Sequence, residues 1–241
     1  MVKLALQLYT IREELQKDFV KTLEEVANLG FEGVEFAGFY NIDAHVMKSN
    51  LDRLNLKAVA SHTPYEHIVD KADEVINYNK IIGNKNIVCP YYDIKTKEDL
   101  DKIISGLKAI VDKYNQNGME LFYHNHDHEF IKFDNKYALD ILLEKLDNKL
   151  KLELDTFWVY CANINVLEYM QNNKNMKLIH LKDGINRDTK ALGEGNAPIK
   201  DIFEKAKQLG IEWAIVENDM PLPNGLEDVK RSVKYIKENL K

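Results

Sequence analysis

The chain has 241 residues, 45% of them apolar, and a formal net charge of −6. That length and composition suit one globular domain with a sizeable core, and the acidic balance leaves no electrostatic footprint for nucleic acid or an anionic membrane. No apolar run reaches the roughly 18 residues a transmembrane helix requires.

In chain order, short runs rich in Val, Ile, Leu and Tyr alternate with longer segments whose apolar residues recur at three- and four-residue spacing. This is the signature of repeated βα units. Strands are predicted at 3–9, 33–36, 57–61, 86–90, 120–124, 151–155, 177–182 and 213–217. Helices are predicted after each, at 18–29, 44–54, 65–82, 97–117, 136–146, 164–171, 199–209 and 226–239. Gly30, Gly83, Gly118 and Gly210 supply helix stops, each followed at once by the next strand. Eight such units predict an α/β chain folded as a single (β/α)8 TIM barrel over residues 1–241, because right-handed crossovers place every helix outside and closure leaves no sheet edge. A doubly wound open sheet is the competitor. It expects a glycine-rich turn after the first strand, where Gln7-Leu8-Tyr9-Thr10 stands instead.

Cys89 and Cys161 lie far apart in or beside apolar segments, so they read as reduced packing thiols rather than a disulfide framework. The start of the chain enters a strand pattern directly, without a basic region and a long apolar stretch, and a cytoplasmic protein is expected.

Four polar residues close four successive strand-like runs. His124 follows Glu120-Leu121-Phe122-Tyr123, Asp155 follows Lys151-Leu152-Glu153-Leu154, His180 follows Lys177-Leu178-Ile179, and Glu217 follows Trp213-Ala214-Ile215-Val216. In a parallel barrel these ends meet at one mouth, where oxygen and imidazole ligands from different strands can surround a divalent cation. Alternation along the strands supports this. Outward positions must pack under helices and are apolar here (Leu121, Tyr123, Leu152, Leu154, Ile179, Leu181, Ala214, Val216), which leaves His124, Asp155, His180 and Glu217 pointing inward.

Along nearly its whole length the sequence resembles the sugar phosphate isomerase/epimerase superfamily of xylose isomerase-like barrels. The resemblance begins at Leu6-Gln7-Leu8-Tyr9-Thr10-Ile11-Arg12 and continues through Gly33-Val34-Glu35-Phe36-Ala37-Gly38 and Ser61-His62-Thr63-Pro64. It is strongest at Tyr123-His124-Asn125-His126-Asp127-His128-Glu129-Phe130, and Leu154-Asp155-Thr156-Phe157-Trp158, Ile179-His180-Leu181-Lys182-Asp183, Gly193-Glu194-Gly195 and Val216-Glu217-Asn218 complete it. Such a resemblance implies one divalent metal ion held by Glu, Asp, His and Glu from the fifth to eighth strand ends. By position, Asp155, His180 and Glu217 match, and His124 stands where many members have the first Glu; His126 and Glu129 are the other residues able to replace it. Imidazoles with carboxylates suit manganese first, with cobalt, zinc, iron or magnesium as further choices.

The chemistry implied is removal of a proton beside a carbonyl in a small sugar, keto-polyol or their phosphates, through an enediolate. Glu217 or His126 would take the proton, and Lys182 would neutralise a developing alkoxide or hold a substrate oxygen. Glu35, His62, Trp158 and Glu129 would contact substrate at the mouth. Isomerisation, epimerisation and loss of a β-hydroxyl can all start from that proton transfer, so an inosose-dehydratase-like lyase is the alternative to a metal-dependent isomerase or epimerase. A catalytically silent sugar-binding barrel is the second alternative. The DNA-cleaving branch of the superfamily needs more ligands and a basic surface than 7 histidines and this net charge provide. The expected partner is a small sugar or polyol, with no nucleic acid or membrane; a homo-oligomer is left open. His128 reads as a loop residue, His45 and His67 as helical, Tyr91 and Tyr92 as rim packing, and Gly193-Glu194-Gly195 as either a lid or a turn.

Overall fold

Eight parallel strands close on themselves in the computed structural model, which describes residues 2–147 and 149–240. They are β1 (Lys3–Gln7), β2 (Gly33–Ala37), β3 (Lys57–His62), β4 (Asn86–Cys89), β5 (Glu120–His124), β6 (Leu150–Asp155), β7 (Met176–Leu181) and β8 (Trp213–Val216). Each pairs with its chain neighbours, and β8 returns to β1 with Leu4 opposite Ala214 and Leu6 opposite Val216. The predicted barrel is therefore the observed one. Among the described residues no helix is long and apolar enough to cross a membrane.

Strand alternation divides the apolar side chains between two packings. Outward residues such as Leu6, Val34, Tyr123, Leu152, Leu154, Ile179 and Val216 are buried under the helical layer in one large cluster. Inward residues Ala5, Val59, Val88, Phe122, Leu178 and Ile215 form a second, smaller cluster with Trp213 against it. That cluster plugs the barrel interior, as filled layers do in this architecture. Inward polar side chains one step further along the strands rest on it as on a floor.

Local signals in the sequence set many element ends. Thr96 and Asp99 form a reciprocal capping box at the start of the Lys97–Gln116 helix, while Gly30, Gly83 and Gly210 end their helices in the left-handed conformation. Departures from the predicted bounds also have local causes. The first strand stops at Gln7, whose side-chain oxygen accepts the Tyr9 N–H at 3.0 Å and turns Leu8–Ile11 into a 3-10 segment followed by a helix at Arg12–Lys17. The segment 65–82 is two helices, Tyr65–Asp70 and Ala72–Ile82, separated at Lys71, where φ is −121° and ψ 30°. Lys136–Tyr137 pairs with Lys132–Phe133, so the next helix begins at Ala138. Asp155 caps an unanticipated helix, Thr156–Cys161, by accepting the N–H groups of Phe157 and Trp158.

The segment after β7 folds back as a hairpin, with Asp183–Ile185 antiparallel to Asp188–Lys190. Here the buried Asp183 carboxylate accepts four backbone N–H groups, from Gly184, Gly193, Gly195 and Ala197, at 2.8 to 3.1 Å. Gly193-Glu194-Gly195 is thus a pinned turn. A Cβ on Gly195 would run into Asp183 and the Gly184 backbone, which accounts for glycine there.

Candidate active site

Strand register brings the sequence-predicted residues to one end of the barrel. His124 of β5 lies beside Glu153 of β6, Asp155 beside His180 of β7, Gln7 of β1 beside Glu35 of β2, and Ala37 of β2 beside His62 of β3. The register shifts at Val34/Glu35 and at Leu152/Glu153, where the partner strands β3 and β7 each carry one extra residue, Val59 and Lys177. Glu35, Glu153, Asp155, His180 and Lys182 are fully buried, and His124 and Glu217 nearly so.

Two overlapping sets of metal-capable atoms result. In the inner set, His62, His124, Glu153 and His180 bring ligand atoms within 4.8 Å of one another. Glu153 Oε2 is its centre, 2.8 Å from His62 Nε2 and 3.2 Å from both His124 Nδ1 and His180 Nε2. Glu35 Oε2 borders it, 2.7 Å from His180 Nε2 and 3.3 Å from His62 Nε2, and accepts the Gln7 amide at 2.8 Å. The outer set is His124, Asp155, His180 and Glu217, again within 4.8 Å. There His180 Nδ1 meets Glu217 Oε2 at 2.8 Å, and His124 Nε2 lies 3.7 Å from Asp155 Oδ2. The Lys182 ammonium sits among its carboxylates, 2.9 Å from Asp155, 2.8 Å from Glu217 and 2.9 Å from Asp219.

Burial and mutual charge set the protonation pattern. Burial, reinforced by the Glu153 charge, pushes the Glu35 carboxyl up to about 7. For Glu153 and Glu217 burial acts the same way but is outweighed by neighbouring cations, His180 and His62 for the first and Lys182 and His180 for the second, so both stay carboxylates. Burial opposes charge on His180 and Lys182, yet the surrounding carboxylates raise both well above their ordinary values. Burial and the charge of His180 hold His124 well below the usual imidazole range, and burial with Lys182 takes His126 down to about 3. His124 and His126 are therefore neutral imidazoles with a lone pair to offer.

The donor chemistry fits a divalent ion. Glu35 Oε1 and Glu153 Oε1 are buried carboxylate oxygens without a hydrogen-bond partner among the described residues, an unfavourable state that a cation relieves. Above the floor opens a cavity of about 750 Å³, lined by His62, His124 and Glu217 and walled by Tyr9, Pro64, Pro90, Tyr91, His126, Trp158 and Met220. His126 Nδ1 and Trp158 Nε1 are likewise buried and unpartnered. The remaining predicted residues are placed differently. Glu129 is buried with one oxygen accepting the Tyr123 hydroxyl at 2.7 Å and the other the His126 N–H at 2.8 Å, which ties down the loop after β5. Glu35 is fully buried and borders the inner set, whereas His62 belongs to that set and also lines the cavity.

Several residues of the site escape sequence reasoning. Glu153 shares the inward face with Asp155, a readable signal, but its imidazole partners come from other strands. Asp219 lies two residues past Glu217, and Asn125 bridges strands by donating to the Asp155 carbonyl and accepting the Asp155 N–H at 3.0 Å. Arg187 reaches the cavity from the hairpin after β7 and pairs with Asp127.

Residues 23–239 match the family described as xylose isomerase-like TIM barrel. The chain belongs to that family. It is also similar to an inosose dehydratase from Geobacillus thermodenitrificans, 24% identical over 91% of this chain and 89% of the relative. Among solved structures it is similar to a sugar phosphate isomerase/epimerase from Parabacteroides distasonis, with a TM-score of 0.83 and 25% identity over 98% of this chain and 93% of the other. The structure of the IolI protein with a bound zinc atom matches at a TM-score of 0.79 and 15% identity, covering 99% of this chain and 98% of that one. Family and neighbours are mostly enzymes of sugar isomerisation, epimerisation and dehydration.

Proposed function

We propose that this chain is a divalent-metal-dependent isomerase or epimerase of a small sugar, keto-polyol or their phosphates, working by proton removal beside a carbonyl. The observation that carries this reading is the convergence of His124, Asp155, His180 and Glu217, with Lys182 against Glu217, at a cavity that His124 and Glu217 line. The cation would be held by a set that includes His124 and His180, which belong to both groups of metal-capable atoms, with carboxylate from Glu217 and Asp155 or from Glu153. When bound, such an ion supplies Lewis-acid stabilisation of charge developing on the substrate's carbonyl oxygen.

The chain's own residues would divide the remaining work. Glu217, a carboxylate at the cavity wall, takes the proton and returns it to the neighbouring carbon. Lys182 is a permanent cation fixed by three carboxylates, so it steadies developing negative charge rather than giving up a proton. Neutral His126 and the Trp158 indole offer hydrogen bonds to substrate hydroxyls, and the cavity's apolar walls exclude water.

His124 stands where many members have the first glutamate, so that position supplies no second carboxylate base opposite Glu217, which favours isomerisation with one base. The similarity to inosose dehydratases supports a second reading, a lyase that expels a β-hydroxyl after the same proton removal. Both are tested by incubating ketoses, aldoses and inososes with the manganese-loaded protein in deuterated water. Deuterium incorporation with isomer formation is expected; release of water from an inosose selects the lyase. Glu217→Gln should lower exchange at least a thousandfold, and full turnover in that variant would refute the assignment of the base.

A further inference from the structure

We propose that the divalent cation of this chain binds in the inner set, to His62 Nε2, His124 Nδ1, His180 Nε2 and a Glu153 carboxylate oxygen, while the Lys182 ammonium fills the place between Asp155 and Glu217. This rests on the metal-dependent reading above and specifies its ligands.

Several observations favour the inner set. Its donor atoms already surround a point: Glu153 Oε2 lies 2.8 Å from one imidazole nitrogen and 3.2 Å from two others. Ligands of a tetrahedral ion with bonds of about 2.1 Å sit roughly 3.4 Å apart, so only a small outward adjustment is needed. Glu153 Oε1 is buried and without a hydrogen-bond partner among the described residues, and Glu35 Oε2 stands 2.7 Å from His180 Nε2 as a further oxygen.

The outer set, by contrast, already contains a cation. A metal ion between Asp155 and Glu217 would have to expel a fully buried ammonium that contacts both at 2.9 and 2.8 Å, and Asp155 spends its other oxygen on capping a helix. The ring geometry agrees. With His180 bound through Nε2, its Nδ1–H donates to Glu217 at 2.8 Å, and with His124 bound through Nδ1, its Nε2 faces Asp155 at 3.7 Å. Carboxylates behind ligating imidazoles fix ring orientation, so Asp155 and Glu217 support the ligands without being ligands.

The test uses the full chain, stripped with chelator and reloaded with cobalt or zinc, read by metal titration and by X-ray absorption at the metal edge. The native protein should show three imidazoles. His62→Gln should show two and bind at least a hundredfold more weakly; Glu153→Gln should weaken binding similarly. Asp155→Asn and Glu217→Gln should keep three imidazoles, with affinity lowered by no more than about a hundredfold. His62 lines the open cavity, so its variant answers the question even if Glu153→Gln fails to fold. Two imidazoles in the native protein, unchanged by His62→Gln, together with lost binding in Asp155→Asn or Glu217→Gln, would overturn the inner site alone. A native protein that takes up no stoichiometric cation would overturn both this site and the metal-dependent reading.

Discussion

Lys182 shows how much one side chain can organise. Its ammonium is fully buried yet meets three carboxylates at 2.8 to 2.9 Å, so removing it strands charge in a low-dielectric interior. Lys182→Met should lower unfolding free energy by about 3 kcal/mol, measured by urea titration. Unchanged stability would mean that the three acids are not balanced by that ammonium. At this scale the sequence is half readable. His124, Asp155, His180 and Glu217 are marked by their position at strand ends, and the structure brings them together. Glu153, Glu35 and Asp219 take their meaning from partners delivered by other strands, and a register shifted at Glu35 and Glu153 cannot be read from alternation alone.

Elements carry the site because of how they end. The Asp183 clamp holds the return loop of β7 by four backbone N–H groups, immediately after the strand that presents His180 and Lys182. Asp183→Ala should cost roughly 2–4 kcal/mol by leaving those donors unsatisfied, and should speed amide hydrogen exchange at 193–197 well before the barrel opens. Protection unaltered in that loop would contradict the clamp. A milder case is the capping box of the Lys97–Gln116 helix, remote from the cavity: Thr96→Ala should lower stability by about 1 kcal/mol with no effect on metal uptake. Helix stops were legible because Gly acts locally, ending a helix where the backbone turns left-handed. The split at Lys71 and the helix at Thr156–Cys161 were not, since the first leaves no Gly or Pro signal and the second depends on an aspartate that reads equally well as a ligand.

For the whole molecule, a cation bound to the native state alone must raise apparent stability. At a hundredfold excess over its dissociation constant the gain is about 2.7 kcal/mol, or roughly 5–10 °C in Tm for a chain of this size. Manganese or zinc should produce that shift in a thermal melt, and chelator should reverse it. Architecture was the most legible level: eight repeats of strand then helix, with apolar outward faces, define the closed parallel barrel, and every barrel strand fell within a few residues of its expected place.

The barrel also separates two kinds of residue by origin. Floor groups come from strand ends locked in register, whereas Tyr9, Pro64, Tyr91 and Met220 around the opening come from the connections between strands and helices. Exchanging those connections would retune which molecules gain entry while the buried carboxylates and imidazoles below stay put. Selectivity and reactivity can therefore drift independently in this lineage, and a shared floor is no guide to a shared substrate.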